Sequence, residues 1–165
     1  MGFQVIKGDI TLQKTDAIVN AANTSLLGGG GVDGAIHRAA GPGLLEECKK
    51  LHGCETGQAK ITGEYNLPAK YVIHTPGPVW QGGDAGESAL LASCYASSLN
   101  LAVQNGCKSV SFPSISTGVY RFPLPLAAQI AAHAILEFLK SHPEMQITMV
   151  CFDDTTKKAY ENALE

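Results

Sequence analysis

The sequence predicts an α/β fold in which a largely parallel sheet is covered by helices on both faces. Short runs rich in β-branched and apolar residues alternate along the chain with helical patterns of about ten residues or more. The 165 residues fit one domain with a full hydrophobic core. No repeat, low-complexity tract or linker divides them, so we predict a single domain over residues 1–165.

The first half of the chain supplies four predicted strands and two predicted helices. β-Branched and apolar residues predict strands over residues 3–7, 17–20, 59–63 and 71–75. Helical patterns cover residues 32–40 and 43–51, and Gly41-Pro42 separates them. The fourth strand runs into Pro76-Gly77-Pro78, a sequence that ends regular structure.

The second half repeats the alternation of helix and strand. Apolar residues at intervals of three and four predict a helix over residues 88–104 that ends near Asn105-Gly106. A short strand over 109–113 precedes a helix over 123–140, with Pro143 just beyond its end. The last strand and helix cover residues 147–152 and 155–164. Sheets of this kind bind ligands at the carboxyl ends of their strands.

The charge of the chain excludes several classes of partner. The net charge is −3 and the 12 Lys and Arg residues are scattered, so no basic stripe for nucleic acid and no polybasic membrane segment is visible. There is no signal-peptide pattern and no apolar run near the roughly 20 residues of a membrane span. We therefore expect a cytoplasmic protein without nucleic-acid or membrane partners. An anionic ligand would be held mainly by backbone N–H groups.

The five cysteines are odd in number, widely spaced and without a C-x-x-C pair, which predicts reduced thiols. Cys48, His52 and Cys54 are close enough in sequence to suggest zinc, but the usual paired ligand spacings are missing, which favours ordinary packing or surface roles. The other histidines, including His37 and His74, stand singly and receive the same interpretation. We expect neither a metal nor a cofactor.

The most informative segment joins two amides and a carboxylate to a glycine loop. Asn20-Ala21-Ala22-Asn23 is followed by four glycines, Gly28 to Gly31, and by Val32-Asp33 at the start of a predicted helix. Four successive glycines suit a backbone that needs positive φ or a close approach to a ligand. Because N–H groups at a helix N-terminus bind anions, the segment predicts a site for an anion and a sugar.

Three further segments follow the ends of predicted strands. Gly8-Asp9-Ile10-Thr11 follows the first strand, residues 114–120 follow the fifth, and Phe152-Asp153 closes the last. Each has an ordinary interpretation by itself, as a strand exit, a common loop composition or a core aromatic residue. Because the carboxyl ends of parallel strands share one edge of a sheet, the segments together predict a cleft.

These motifs resemble those of the macrodomain family, the ADP-ribose-binding modules, and in particular its MacroD-type ADP-ribosyl hydrolases. The similarity comprises G-D-I-T at 8–11, I-V-N-A-A-N at 18–23, G-G-G-G-V-D-G-A-I-H at 28–37, V-I-H-T at 72–75 and S-I-S-T-G-V-Y at 114–120. The second and third motifs are specific, and they occur together with the fifth. The resemblance implies a three-layer α/β/α sandwich around a mixed, mostly parallel sheet of about six strands with one antiparallel edge strand.

The resemblance also implies a cleft for ADP-ribose and its esters. Asp9 would accept a hydrogen bond from adenine, although an Asp after a strand can also serve only as a cap. Phe152 would stack on the adenine, and Tyr120, unless it is merely a loop aromatic on the surface, would cover the distal ribose. The diphosphate would lie between N–H groups of the two loops. The implied ligand-binding residues are Asp9, Ile10, Ala22, Gly29, Gly30, Gly31, Val32, Ser114, Ser116, Thr117, Gly118, Val119, Tyr120 and Phe152.

Asn23 and Asp33 fall at the positions that the resemblance implies to be catalytic. Asn23 would hold the distal ribose, and Asp33 would position or activate the attacking water near the ester carbonyl or the anomeric carbon, a task that the phosphate of the ligand would share. Asn20 ends a buried predicted strand, which favours a structural role in which its side chain bonds the backbone.

Two functions follow as alternatives. One is a hydrolase that removes mono-ADP-ribose from Asp or Glu esters of modified proteins and deacetylates O-acetyl-ADP-ribose; the other is a reader that binds ADP-ribose without cleaving it. The presence of both Asn23 and Asp33 favours the enzyme, and nucleic-acid binding lacks the basic surface it requires. Two positions depart from the pattern of the family that the sequence resembles, with Arg121 in place of a common Gly and Pro76 in place of a small apolar residue. Arg121 would alter the mobility of its loop or add a charge near the phosphates, which bears on affinity and on substrate choice.

Overall fold

The computed structural model describes residues 2–165, which form a six-stranded sheet between two layers of helices. The strands are β1 (Phe3–Lys7), β2 (Ala17–Ala22), β3 (Lys60–Gly63), β4 (Tyr71–Pro76), β5 (Ser109–Phe112) and β6 (Gln146–Cys151). The helices are α1 (Gly31–Ala40), α2 (Pro42–Lys49), α3 (Glu87–Gln104), α4 (Leu124–Ser141) and α5 (Asp154–Ala163). A single 3₁₀ turn, Ile10–Leu12, follows β1 and was not predicted from the sequence.

The strands lie in the order β1-β6-β5-β2-β4-β3. Only the edge strand β3 runs antiparallel, paired with β4, and the other neighbours are parallel. The predicted fold class, a mixed and mostly parallel sheet with helices on both faces, is therefore confirmed. The predicted ends of most elements differ from the observed ends by a residue or two, and β2 runs on to Ala22, so Asn20 lies inside the strand and not at its end.

The two faces of the sheet form two separate hydrophobic cores. Along β2 and β4, Val19 and Ile73 point to the side covered by α3, α4 and α5. The alternate residues Ile18 and Val72 point to the side covered by α1 and α2. This is the two-residue period of a strand buried on both faces. Each fully buried Ile or Val contributes about 1.5–3 kcal/mol relative to an exposed one, so both layers are needed to cover the sheet.

All five cysteines are buried and free. Burial raises the pKa of the Cys48 thiol to about 11 and that of Cys151 to about 12, so both are uncharged at neutral pH. Across residues 2–165, no helix combines the length and the apolar composition that a membrane span requires.

Candidate functional site

Four segments meet at the edge of the sheet where the parallel strands end. β1 and β6 are neighbours, and Gly8 N donates to Cys151 O at 2.9 Å, so Asp9 and Phe152 leave the sheet side by side. The loop after β5 comes next along the edge, followed by the glycine loop after β2. The structure therefore brings the four sequence-predicted segments together, in the order of the strands that carry them.

Asp9 and Phe152 occupy one end of this edge. Asp9 caps the 3₁₀ turn, since its Oδ1 accepts hydrogen bonds from Thr11 N at 2.9 Å and Thr11 Oγ1 at 2.7 Å. Both of these bonds go to Oδ1, and Oδ2 takes part in neither. Phe152 is 80% exposed, which excludes a core role for its ring, whereas Ile10, the first residue of the turn, is buried. An exposed planar ring next to a carboxylate oxygen suits a stacked base that also donates a hydrogen bond.

The glycine loop leads into α1 and leaves the N-terminus of this helix uncapped by any side chain. Gly30 is the N-cap residue and Gly31 the first helical residue, with φ of 57°. A Cβ at Gly30 or Gly31 would meet no atom within 4 Å, so contacts within the protein do not demand glycine at either position. The first N–H groups of α1 therefore have no capping side chain, and the positive end of the helix dipole lies at this loop. This geometry suits a phosphate group.

The loop after β5 is fixed from beneath by buried hydroxyl groups. Ser114 Oγ lies 2.8 Å from Tyr160 OH of α5 and 2.7 Å from Thr117 Oγ1. Ile115 N donates to Tyr95 OH of α3 at 3.3 Å. The half-buried Ser114 and Thr117 side chains are therefore engaged in hydrogen bonds within the protein, which leaves the loop backbone and its more exposed residues as the main contacts for a ligand.

Two residues of this loop adopt left-handed backbone angles that disfavour side chains. Ser116 has φ of 68° and Arg121 has φ of 62°, an arrangement that costs about 1–3 kcal/mol per residue. Arg121 N closes the turn by donating to Gly118 O at 2.9 Å. Arg121 thus stands at a position where glycine would be unstrained. Gly77 packs against the loop so closely that a Cβ there would lie 2.2 Å from Ser116 Oγ.

Tyr120 is half-buried at the far end of the same loop. Its carbonyl accepts a hydrogen bond from Trp80 N at 2.8 Å, and Trp80 packs on Phe122 with ring centroids 4.8 Å apart. The neighbouring Val119 is 92% exposed. Tyr120 is therefore anchored through its backbone to the segment after β4, while the surface next to it stays open.

Asp33 is a buried carboxylate in the first turn of α1, with 5% of its surface exposed. Its Oδ1 accepts a hydrogen bond from Asn20 Nδ2 at 2.8 Å, and His37 Nε2 lies 3.4 Å from the same oxygen. Burial raises the pKa of this carboxyl above its ordinary value, against the opposing effects of the Asn20 hydrogen bond and of His37. The other oxygen, Oδ2, would lie 3.2 Å from a Cβ built on Gly29, so it faces the glycine loop.

Asn20 bonds side chains and not the backbone, so the predicted backbone role is wrong. Its Nδ2 also lies 3.2 Å from His74 Nδ1. The physical reason is the length of β2, which places Asn20 within the sheet beside β4. The prediction that His37 and His74 stand singly is also wrong, because both belong to this cluster. The spacing of four residues between Asp33 and His37 on one helix was the available signal for His37; for His74 there was none without the strand order.

The Asn23 side chain is largely engaged within its own loop. Its Nδ2 donates to Gly28 O at 2.8 Å, and its Oδ1 accepts from Ser25 Oγ at 2.6 Å and from Leu26 N at 3.1 Å. One N–H of the amide remains, and Nδ2 would lie 3.5 Å from a Cβ on Gly29. Asn23 Nδ2 and Asp33 Oδ2 thus both lie next to Gly29, which places a donor and an acceptor near one point of the loop.

The three residues of the zinc hypothesis have separate surroundings. Cys48 is buried with its Sγ 3.8 Å from His74 Nε2, Cys54 Sγ donates to Glu55 O at 3.7 Å, and His52 is exposed. Within residues 2–165 there is no group of three or more His, Cys, Asp or Glu side chains that could hold a metal ion.

The fold and the site together define an α/β protein with a cleft for a base and an anion at the carboxyl edge of its sheet. A model of the macro domain matches residues 19–131, and the chain belongs to the macro domain family. It is 63% identical over 164 residues to a macro domain-containing protein of Lactiplantibacillus plantarum, covering 98% of this chain and 95% of the relative.

An enzyme and two solved structures are also similar to this chain. The O-acetyl-ADP-ribose deacetylase of Citrobacter koseri is 58% identical over 168 residues, covering 98% of this chain and 94% of the relative. The Oceanobacillus iheyensis macrodomain with ADP superimposes with a TM-score of 0.95 at 43% identity, covering 98% of this chain and 89% of that one. The Trypanosoma brucei macrodomain in complex with ADP-ribose gives a TM-score of 0.93 at 46% identity, covering 99% and 69%.

Proposed function

We propose that this macrodomain binds ADP-ribose and hydrolyses its esters, releasing mono-ADP-ribose from Asp or Glu of modified proteins and acetate from O-acetyl-ADP-ribose. The observation that carries the proposal is the buried Asp33 carboxylate, whose Oδ1 is fixed by Asn20 while Oδ2 faces the glycine loop beside Asn23. Relatives with bound ADP or ADP-ribose and deacetylase relatives support the ligand and the reaction class.

The ligand would lie along the edge of the sheet from β1 to β2. Adenine would stack on the exposed ring of Phe152. Its amino group would donate to Asp9 Oδ2, because the two hydrogen bonds of the cap go to Oδ1 and not to Oδ2. The diphosphate would accept hydrogen bonds from N–H groups at the start of α1 and of residues 116–119. An acidic protein can bind an anion in this way because backbone dipoles supply the positive potential.

The reaction follows from the position of Asp33. A water held at Asp33 Oδ2 would add to the ester carbonyl while the carboxylate accepts its proton, and the bond from the carbonyl carbon to the ribose oxygen would break with return of the proton to that oxygen. The products are ADP-ribose and the free carboxylic acid. Burial favours this chemistry, because a carboxylate with a raised pKa is a stronger base than an exposed one.

The test is direct incubation with both substrates. Wild-type protein is given O-acetyl-ADP-ribose or an ester-linked ADP-ribosylated protein, and released acetate or ADP-ribose is measured. Asp33→Asn keeps the shape of the side chain and removes the base, so we expect turnover at least about tenfold lower and ADP-ribose affinity within a few fold, by calorimetry. Loss of affinity in parallel with activity would show that Asp33 serves binding and not catalysis.

The alternative function is a reader of ADP-ribosylated proteins. Binding requires only the adenine and phosphate parts of the cleft, and these do not involve Asp33. If the protein binds ADP-ribose but releases no product from either substrate, the reader function is the one that remains. We also propose that the protein acts in the reducing cytoplasm, which its five free and buried cysteines support.

A further inference from the structure

A row of buried polar side chains crosses the sheet behind Asp33. Asn20 of β2 and His74 of β4 are direct neighbours in the parallel register, and neither is exposed to solvent. Thr62 of β3, which is 3% exposed, continues the row, with its Oγ1 3.0 Å from His74 Nε2. The three residues point to the same side of the sheet as the core beneath α1 and α2, where apolar residues would otherwise be expected. Because a buried polar group without a hydrogen bond is costly, the members of this row must be hydrogen-bonded to one another or to their neighbours.

The hydrogen bonds of the row fix the state of each member. Asn20 Nδ2 carries two hydrogens, one directed to Asp33 Oδ1 and the other to His74 Nδ1, so Nδ1 must be unprotonated. The hydrogen of the neutral ring then sits on Nε2 and is donated to Thr62 Oγ1, which itself donates to Gly63 O at 3.2 Å. Burial lowers the pKa of His74 to about 3, in keeping with a neutral ring.

The negative charge on Asp33 favours this arrangement over the alternative, in which the Asn20 amide is flipped and His74 carries its hydrogen on Nδ1. If the Asn20 amide were turned over, its oxygen would face the Asp33 carboxylate at hydrogen-bond distance, and two acceptors would repel each other. A hydrogen on His74 Nδ1 would equally face the hydrogens of Asn20 Nδ2. The ionised carboxylate, the amide orientation and the Nε2–H tautomer are therefore mutually dependent.

We propose that His74 is a positioning residue, whose Nδ1 accepts from Asn20 and thereby holds the amide that orients Asp33 Oδ1. The inference rests on the proposed role of Asp33 and deepens it. With Oδ1 held by the row, Oδ2 is the oxygen left to the attacking water. Three other titratable groups lie near this cluster. His37 of α1 is 3.4 Å from Asp33 Oδ1, and Cys48 of α2 is 3.8 Å from His74 Nε2. Lys60 of β3 is paired with His74 in the sheet, and its ammonium group donates to the carbonyls of Leu51 and Gly53.

Two substitutions of His74 separate positioning from space filling. The amide oxygen of Asn is one bond from Cγ, like Nδ1 of His, so His74→Asn retains an acceptor for Asn20. The amide of Gln is one bond further and reaches the place of Nε2, so His74→Gln retains the partner of Thr62 and removes the acceptor. Both variants fill the site with a polar side chain, and they differ in the contact that the proposal requires.

The expected result is a split between catalysis and binding. His74→Gln lowers kcat by about tenfold, with KM and the Kd for ADP-ribose within about twofold, because Asp33 loses its orientation and the ligand loses no contact. The acid limb of the kcat profile moves to higher pH, since the Asn20 hydrogen bond lowers the pKa of Asp33. His74→Asn keeps kcat within about threefold of wild type. Equal kcat and acid limb in wild type and His74→Gln would overturn the proposal.

Two measurements without substrate separate this inference from the proposed function. The carboxyl carbon resonance of Asp33 is titrated in wild type and both variants, and only His74→Gln should show a raised midpoint. If wild type hydrolyses neither ester, the proposed function fails, and this titration still decides whether His74 acts on Asp33. If His74→Gln does not fold, the ring nitrogen spectrum of the wild type decides instead. An Nε2–H tautomer at neutral pH supports the proposal, and an Nδ1–H tautomer refutes it.

Discussion

The buried His74 predicts a specific pH dependence of folding stability. Its pKa is about 3 in the folded protein against an ordinary value of 6.5, because burial disfavours the charged ring. Between these two values the unfolded chain binds a proton that the folded state does not. Unfolding therefore takes up about one proton in this window, and the free energy of unfolding falls as the pH falls, by up to about 1.4 kcal/mol per pH unit.

The loss of unfolding free energy that is due to His74 can be isolated by comparing wild type with a variant that lacks the imidazole ring. In His74→Asn the buried amide does not titrate, and the other ionisable groups, including Asp16 and Asp153 with their lowered pKa values, are common to both proteins. Integration from about pH 7.5 to about pH 4.5 gives a loss of about 2.5 kcal/mol attributable to His74. Wild type should lose that much more stability than the variant over this range.

The assay is urea unfolding followed by circular dichroism at several pH values across this range. Linear extrapolation gives the free energy of unfolding, and an unchanged m-value shows that the transition still exposes the same surface. The decisive quantity is the difference between the two pH profiles, not the stability of either protein. Parallel profiles would mean that His74 titrates normally in the folded state, which would refute both its neutrality and the tautomer argument built on it.

Three further predictions concern the cleft. Asp9→Asn keeps an acceptor for the cap but presents a donor in place of Oδ2, so we expect unchanged stability and ADP-ribose binding weaker by about 1.5–3 kcal/mol in calorimetry; equal affinity would remove Asp9 from the site. Phe152→Ala should leave the melting temperature nearly unchanged, because the ring is 80% exposed, and weaken binding by about 1–3 kcal/mol through lost stacking; a large loss of stability would contradict this reasoning. Gly77→Ala should destabilise the fold by about 1–3 kcal/mol in urea, since its Cβ would lie 2.2 Å from a neighbouring side chain. The matched Gly118→Ala, whose Cβ would meet nothing within 4 Å, should leave stability unchanged and lower affinity. A stable Gly77→Ala together with a destabilised Gly118→Ala would contradict the packing role of Gly77 and the ligand-binding role of Gly118.

Most of the secondary structure could be predicted from local sequence pattern. Strand and helix periodicities depend on neighbouring residues alone, so the strands and helices were predicted to within a residue or two at most ends. β2 continues past its predicted end through Ala21 and Ala22, which are poor strand formers, because pairing with β4 extends the strand through them. The family resemblance implied one antiparallel edge strand without saying which, since a strand pattern has no direction, and the structure shows that it is β3.

In the candidate site, too, the local motifs could be predicted from the sequence and the long-range contacts could not. The motifs that carry the loops at the carboxyl edge are contiguous in sequence, and parallel strands bring such loops together whatever their exact order. Contacts between residues far apart in the chain were not predictable. His74 lies 54 positions from Asn20 and becomes its neighbour only because β4 pairs with β2.

The sequence by itself determined the α/β alternation, the glycine loop at the start of α1 and the presence of a carboxylate, Asp33, in its first turn. Only the tertiary structure decided which oxygen of Asp33 is held and which faces the loop, and that Asn20 and His74 hold it. The physical reason is range. Propensities and motifs act over a few residues, whereas the orientation of a buried carboxylate depends on hydrogen bonds from strands that meet only when the sheet has formed.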